Sequence, residues 1–276
     1  SVLTASFGFS DQQYGAIYIP QLIAAILGAV CGGLVANKMT LQTQFSIALL
    51  CFFSAQTGLA SSMFASADSA LPLVMCATAL FGFGFGFGGG PLNASVALLF
   101  PRQPTAAITA LHMGAGSGLA IGPYVFGLLV VEGHWIYGPL GLAVFTALLL
   151  ALTLWSKFPE PIRDMAADST AGARPSGSRF FWLCALLAVI YSVIEGTFSN
   201  WAVIFLQEDR GIDTASAALA LTAFWAALTS GRLVSALIAV KVRPLAFLLL
   251  LPFLIATALW ILPEVSSAQG GIWRFA

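Results

Sequence analysis

Apolar runs of about 20 residues, each long enough to cross some 30 Å of hydrocarbon, recur along this chain and leave little choice of fold. They fall near residues 14–36, 43–65, 71–100, 106–131, 135–156, 180–206, 214–240 and 245–262. Water cannot satisfy an exposed backbone amide inside a bilayer, so runs like these become helices, whose amides are paired within each segment. Composition agrees: 8% charged and 59% hydrophobic residues stand far from the roughly 25% charged of soluble chains. The expected fold class is an all-α integral membrane protein, a polytopic helical bundle of about eight spans. The third run, 71–100, is long enough to lie tilted, or to break near Pro91.

One long polar segment interrupts the series, KFPEPIRDMAADSTAGARPSGSR at 157–179. Its Pro, Gly, Ser and mixed charges cannot bury enough apolar surface to fold alone. It reads as a linker that divides the chain into 1–156, with five spans, and 180–276, with three. Basic residues in alternate loops give the orientation. Lys38, Arg102, Lys157, Arg163, Arg174, Arg179, Lys241 and Arg243 fall on one side, only Arg210 and Arg274 on the other, and Arg232 lies within a span. The linker is therefore expected in the cytoplasm and residue 1 outside.

The formal net charge is zero, so no global basic field points to nucleic acid. Cys31, Cys51, Cys76 and Cys184 all sit in apolar runs without metal-site spacing, and are expected to be small buried hydrophobes. No metal, cofactor or protein partner is implied. The opening 15 residues lack the basic start and apolar core of a signal peptide, and the chain does not begin with Met, so a longer N-terminus is expected.

Within the third run, LFGFGFGFGGGPLNAS carries Gly84, Gly86 and Gly89 in a formal G-x-G-x-x-G match. The match is empty, since no strand precedes it and no amphipathic helix follows. Glycines two apart in a membrane helix instead let neighbouring backbones approach, or let the helix bend; close packing is preferred to a gating hinge. Asn93-Ala-Ser95 matches a glycosylation sequon but is embedded in a span.

Chemistry is expected where ionisable groups lie inside spans, because a charge there is costly and faces a cavity or a partner. Glu195 and Arg232 qualify. Ser192, Glu195 and Ser199 share a helical face, with Asn200 and Trp201 beside it. Thr222, Trp225, Thr229 and Arg232 make a similar stripe on the next helix. Arg232 lies about 13 Å from the end of its span, so it lines a cavity or snorkels to the interface. The estimated depths of Glu195 and Arg232 differ by several ångströms, and the two are not read as a salt bridge. His112, Asn93 and Gln21 are weaker polar candidates, each with a packing role as the alternative, and His134 is expected at a span edge.

The segments QYGAIYIPQLIAAILGAVCGGLVANKM, GFGGGPLNASVALLFPRQPTAAITALHMGAGSGLAIGPYVFG and IEGTFSNWAVIFLQEDRGIDTASAALALTAFWAALTSGR resemble the major facilitator superfamily, in the manner of its fucose-permease-like branch. That family has six plus six helices around a central cavity and moves solute by rocking its halves. In that frame the spans are helices two to nine, so the first and the last three helices are expected outside this chain. The family's loop motif after helix two, G-x-x-x-D-R-x-G-R-R, stands here as Gly33-Leu-Val-Ala-Asn37-Lys38-Met-Thr40-Leu-Gln, with Asn37 in place of the acid.

The resemblance implies a secondary active transporter of a small polar solute, sugar-like and proton-coupled through Glu195, working by alternating access in a bacterial inner membrane. The alternatives are a non-transporting scaffold and a membrane-embedded enzyme. Against the enzyme, neither H-E-x-x-H nor G-x-S-x-G occurs.

Overall fold

The computed structural model describes residues 6–159 and 178–239, together with Phe253, Ala256 and Thr257. Its helices are α1 (Asp11–Ala16), α2 (Tyr18–Val35), α3 (Leu41–Ser61), α4 (Ala67–Leu99), α5 (Pro104–Val131), α6 (Tyr137–Trp155), α7 (Arg179–Glu208) and α8 (Thr214–Ala239). Seven spans long and apolar enough to cross a membrane lie among the described residues, α1 and α2 together forming the first. They coincide with the first seven apolar runs to within a few residues. The run at 245–262 and most of the expected linker lie outside the described residues.

Side-chain exposure follows from the solvent being lipid. Leucines, valines and phenylalanines stand outward along every span, as with Leu34 and Val144. The cysteines expected to be buried are corrected by the same reasoning. Cys31 and Cys51 are half-buried and Cys76 is exposed, because a small apolar group gains little by leaving hydrocarbon. The side chain of Cys184 lies outside the described residues.

Two compact units emerge, Ser1–Thr109 with Glu132–Ala185, and Ala110–Val131 with Leu186–Ala276. In the first, α4 is packed between α2 and α3, and α6 packs on α3. The G-F repeat explains this arrangement. At 100° per residue, glycines four apart share a face and glycines two apart look to opposite sides. Gly82 and Gly86 lie against the α2 backbone at the carbonyls of Gln21 and Ala25, where any Cβ would collide. Gly84 and Gly88 face α3, where a Cβ would come within 2.9 Å of Cys51 Cβ and 2.7 Å of Ala48 Cβ respectively. Small residues thus bring three backbones together where no hydrophobic force drives helix association. The intervening Phe83 and Phe87 stack at 5.5 Å. The helix is continuous through Pro72 and Pro91, so the break considered at Pro91 does not occur.

Polar side chains close the helix ends. Ser10 and Gln13 form a capping box at α1, and Thr78 Oγ1 donates to the Ile17 carbonyl at 2.9 Å, where α1 gives way to α2. Gln42, at the start of α3, donates from Nε2 to the carbonyls of Thr153 at 2.7 Å and Ser156 at 2.9 Å. One amide therefore serves the last, otherwise orphaned, carbonyls of α6. Phe45 and Phe158 meet beside it with ring centroids 5.9 Å apart. Gln42→Ala is expected to lower stability by about 1 kcal/mol. Thermal unfolding in detergent reads this, and an unchanged midpoint would count against the cap.

In the second unit, α7 and α8 form an antiparallel hairpin. Gly211, at φ +63°, supplies the left-handed turn that Ile212 needs to donate back to the Leu206 carbonyl at 2.9 Å. Leu206, Ala217 and Ala220 form a buried core beneath it. Asp213 caps α8, its carboxylate accepting from the Ser216 amide at 3.0 Å. Hydrogen bonds from Ser216 hold the Asp213 carboxyl below the usual carboxylate range. A depressed value means stability that is complete above the ordinary carboxylate range and is lost as pH falls through the depressed one. The stability gap between wild type and Asp213→Ala should therefore close on acidification, which melts taken down a pH series would follow.

Candidate functional site

The register of the second unit places the predicted polar residues. Contacts Gln207–Thr214, Phe198–Phe224 and Tyr191–Arg232 step back along α7 by nine and seven residues and forward along α8 by ten and eight. This is steady antiparallel pairing. Tyr191 is level with Arg232, and Glu195 lies one turn nearer the 209–213 turn.

Arg232 Nη2 donates to Tyr191 Oη at 3.0 Å and stands 3.8 Å from Glu195 Oε1. The Tyr191 hydroxyl accepts from the guanidinium and stands one turn from Glu195 on the same helix. The sequence reading that these charges do not pair is therefore corrected. Their backbones differ in depth as estimated, but the guanidinium reaches back along α7 and the hydroxyl fills the offset. Arg232 leans toward α7 rather than snorkelling away. Its side chain is 43% exposed and that of Glu195 20%. Tyr191 was missed, although it stands four residues before Glu195 and eight before Ser199, on the same face; that spacing was the available signal.

The third helix of this layer is α5. Gly116 abuts the Thr229 hydroxyl, and a Cβ on Gly127 would meet that of Ala218 at 2.5 Å. Both contacts are separated by eleven residues on each helix, so α5 and α8 run antiparallel in close contact for about 16 Å. Carried four residues further, the register puts His112 level with Leu233, next to Arg232. His112, Tyr191 and Arg232 thus occupy one level of the unit, with Glu195 a turn away.

The other candidates take different places. Ser199 Oγ donates to the Glu195 carbonyl at 2.6 Å, an intrahelical bond. Asn200 and Trp201 are half-buried on α7. Trp225 is 6% exposed, and the hydroxyl oxygens of Thr222 and Thr229 are buried without a hydrogen-bond partner among the described residues. Along the α8 stripe, Trp225 is packed, Thr222 and Thr229 are half-buried, and Arg232 is the exposed end. Asn93 and Gln21 belong to the first unit. Asn93 Nδ2 donates to the Gly89 carbonyl at 2.8 Å, while its Oδ1 is buried with no donor among the described residues. Gln21 sits half-buried on α2 with its carbonyl against Gly82. His134 lies between α5 and α6, its ring 5.5 Å from that of Tyr137. No metal-binding cluster of His, Cys, Asp or Glu occurs among the described residues.

A layer joining a carboxylate, a guanidinium and a phenol inside membrane spans can bind a polar solute, carry a proton, or do both. Comparison with known proteins gives the family. The family model of the Major Facilitator Superfamily matches residues 1–275. A 3-(3-hydroxy-phenyl)propionate transporter of Escherichia coli (strain K12) is 27% identical over 284 residues, covering 97% of this chain. The chain spans 66% of that relative's length. With a match along its whole length, the chain belongs to the Major Facilitator Superfamily.

Proposed function

We propose that this chain works as a secondary active transporter, carrying a small polar solute by alternating access. The observation that carries the reading is the Glu195–Tyr191–Arg232 group held inside two spans. Charges at such depth are retained for a solute, a proton or a structural pair, and their part exposure supports the first two uses. Glu195 is the proton-coupling residue and Arg232 the solute contact, with Ser199, Asn200, Trp201, Trp225 and His112 around them. The 1–156 half is joined to 180–276 by the 157–179 linker, and Asn93 and Gln21 are the polar candidates of the 1–156 half taken by itself.

The fucose-permease-like resemblance favours a sugar-like solute. An organic acid is the second reading, favoured by the Arg232 guanidinium and by the name of the Escherichia coli relative. Radiolabelled uptake into proteoliposomes tests the proposal. Time-dependent accumulation above protein-free vesicles is expected for one of the two classes. Uptake of neither would leave the scaffold reading. The bias of basic residues toward one set of loops supports a cytoplasmic linker. A cysteine introduced at Ser169 should resist an impermeant thiol reagent in intact cells and react after lysis; labelling of intact cells would overturn that orientation.

A further inference from the structure

We propose that the basic end of the first unit holds an anionic glycerophospholipid, with its acyl chains against the last turn of α4 and its phosphate at Arg102. This site lies apart from the α7–α8 layer and does not depend on what that layer carries.

Depth comes first. Helix α4 has 33 residues, so at about 1.5 Å per residue it measures about 50 Å, and a tilt of about 40° still leaves about 38 Å along the membrane normal. The hydrocarbon is only about 30 Å thick. The residues that follow Leu99 therefore stand in the headgroup layer, at the level of the lipid phosphates.

Shape and polarity come next. Leu99, Phe100, Pro101, Arg102 and Gln103 line an open hollow of about 360 Å³ between α4 and α5. Its two sides differ in character. Leu99 and Phe100 are exposed apolar side chains at the end of α4, and Arg102 and Gln103 are exposed polar ones just beyond it. A hydrated ion gains nothing from the apolar side, whereas an amphiphile matches both.

Charge then selects among amphiphiles. Helices α2 and α4 run parallel, with Thr78 on Ile17, Gly82 on Gln21 and Gly86 on Ala25, each pair 61 positions apart. The same offset sets Val35 level with Val96, so Lys38 lies at the same end as Arg102, on the neighbouring helix. Lys157 joins them there, since it follows Ser156, whose carbonyl is held by Gln42 at the start of α3. All three cations are exposed. Among the described residues of this unit the acids are Asp11, Asp68 and Glu132, all at its other end. A zwitterionic lipid would bring an ammonium group to this cluster of cations. An anionic lipid neutralises it, and each Lys or Arg near the surface adds about fivefold to the affinity for an anionic lipid.

The test is equilibrium binding of radiolabelled dioctanoyl phosphatidylglycerol, dioctanoyl phosphatidylcholine and inorganic phosphate to the purified full chain in neutral detergent. Phosphatidylglycerol should bind at least about tenfold more tightly than phosphatidylcholine, since more than one cation takes part, and phosphate should not bind measurably. Arg102→Gln should weaken phosphatidylglycerol about fivefold and Lys38→Gln severalfold, with phosphatidylcholine unchanged. Phe100→Ser, on the acyl side, should weaken both lipids alike. Arg210→Gln, in the turn between α7 and α8, is the control and should bind as wild type does. Both site cations are exposed, so their variants should melt like wild type without lipid. Phosphatidylglycerol bound equally by wild type and Arg102→Gln, or phosphatidylcholine bound as tightly as phosphatidylglycerol, overturns the inference. An equal loss in Arg210→Gln overturns it too, because surface charge in general would then be at work. Phosphate bound through Arg102 as tightly as the lipid would also overturn it, and would leave a site for a soluble anion.

Discussion

Gly86→Ala should lower the thermal unfolding midpoint by several degrees, and Gly86→Leu should leave little monodisperse protein. A Cβ on Gly86 runs into the Ala25 carbonyl, which is backbone and cannot turn aside as a flexible side chain would. Helix α2 would have to move away along its contact with α4. Overpacking of this kind costs roughly 1–3 kcal/mol per inserted methyl, and tight packing is a main source of cohesion between helices in lipid. Gly89, three residues on in the same helix, has nothing within 4 Å of its would-be Cβ. Gly89→Ala therefore serves as the matched control and should melt like wild type. Equal melting of the Gly86 and Gly89 variants would contradict the packing account.

The second large effect concerns charge. Arg232→Leu removes the cation and leaves the Glu195 carboxylate without its counter-charge. Breaking a buried pair from one side costs roughly 3–5 kcal/mol, whereas replacing both partners is often close to neutral. The pair here is partly exposed, so the lower end of that range applies. The single variant should give a poor folded yield on size-exclusion chromatography, and Glu195→Gln/Arg232→Leu should recover it. Transport should be absent from both. Equal yields from the single and double variants would mean that the two charges do not depend on each other.

How far the sequence reached is explained by which physics was at work. Span positions were legible because the bilayer demands a continuous apolar run, and a polar residue in the wrong place is expensive. Thus the run at 106–131 anticipated α5 (Pro104–Val131) closely. The glycine repeat was legible as packing, since Gly in a membrane helix has little other use. Its division into two faces needed only the 100° step, but which helix each face meets required the fold. The Glu195–Arg232 pair was misread because depth was estimated from backbone position alone. A guanidinium reaches more than a helical turn, and Tyr191 made that reach productive. Gln42 was overlooked for a related reason: a polar residue at a helix start reads as local, while its partners lie 111 and 114 residues away.

The central claim, that the α7–α8 layer carries solute and proton, is tested most directly by Glu195→Gln in proteoliposomes. Two fluxes of the same labelled solute are compared, accumulation driven by a proton gradient and exchange at equal solute on both sides. The account predicts that accumulation is lost while exchange persists, because Gln keeps the shape and a hydrogen-bonding group but cannot carry the proton. A folded Glu195→Gln protein that accumulates solute with unchanged rate, affinity and pH dependence would contradict it.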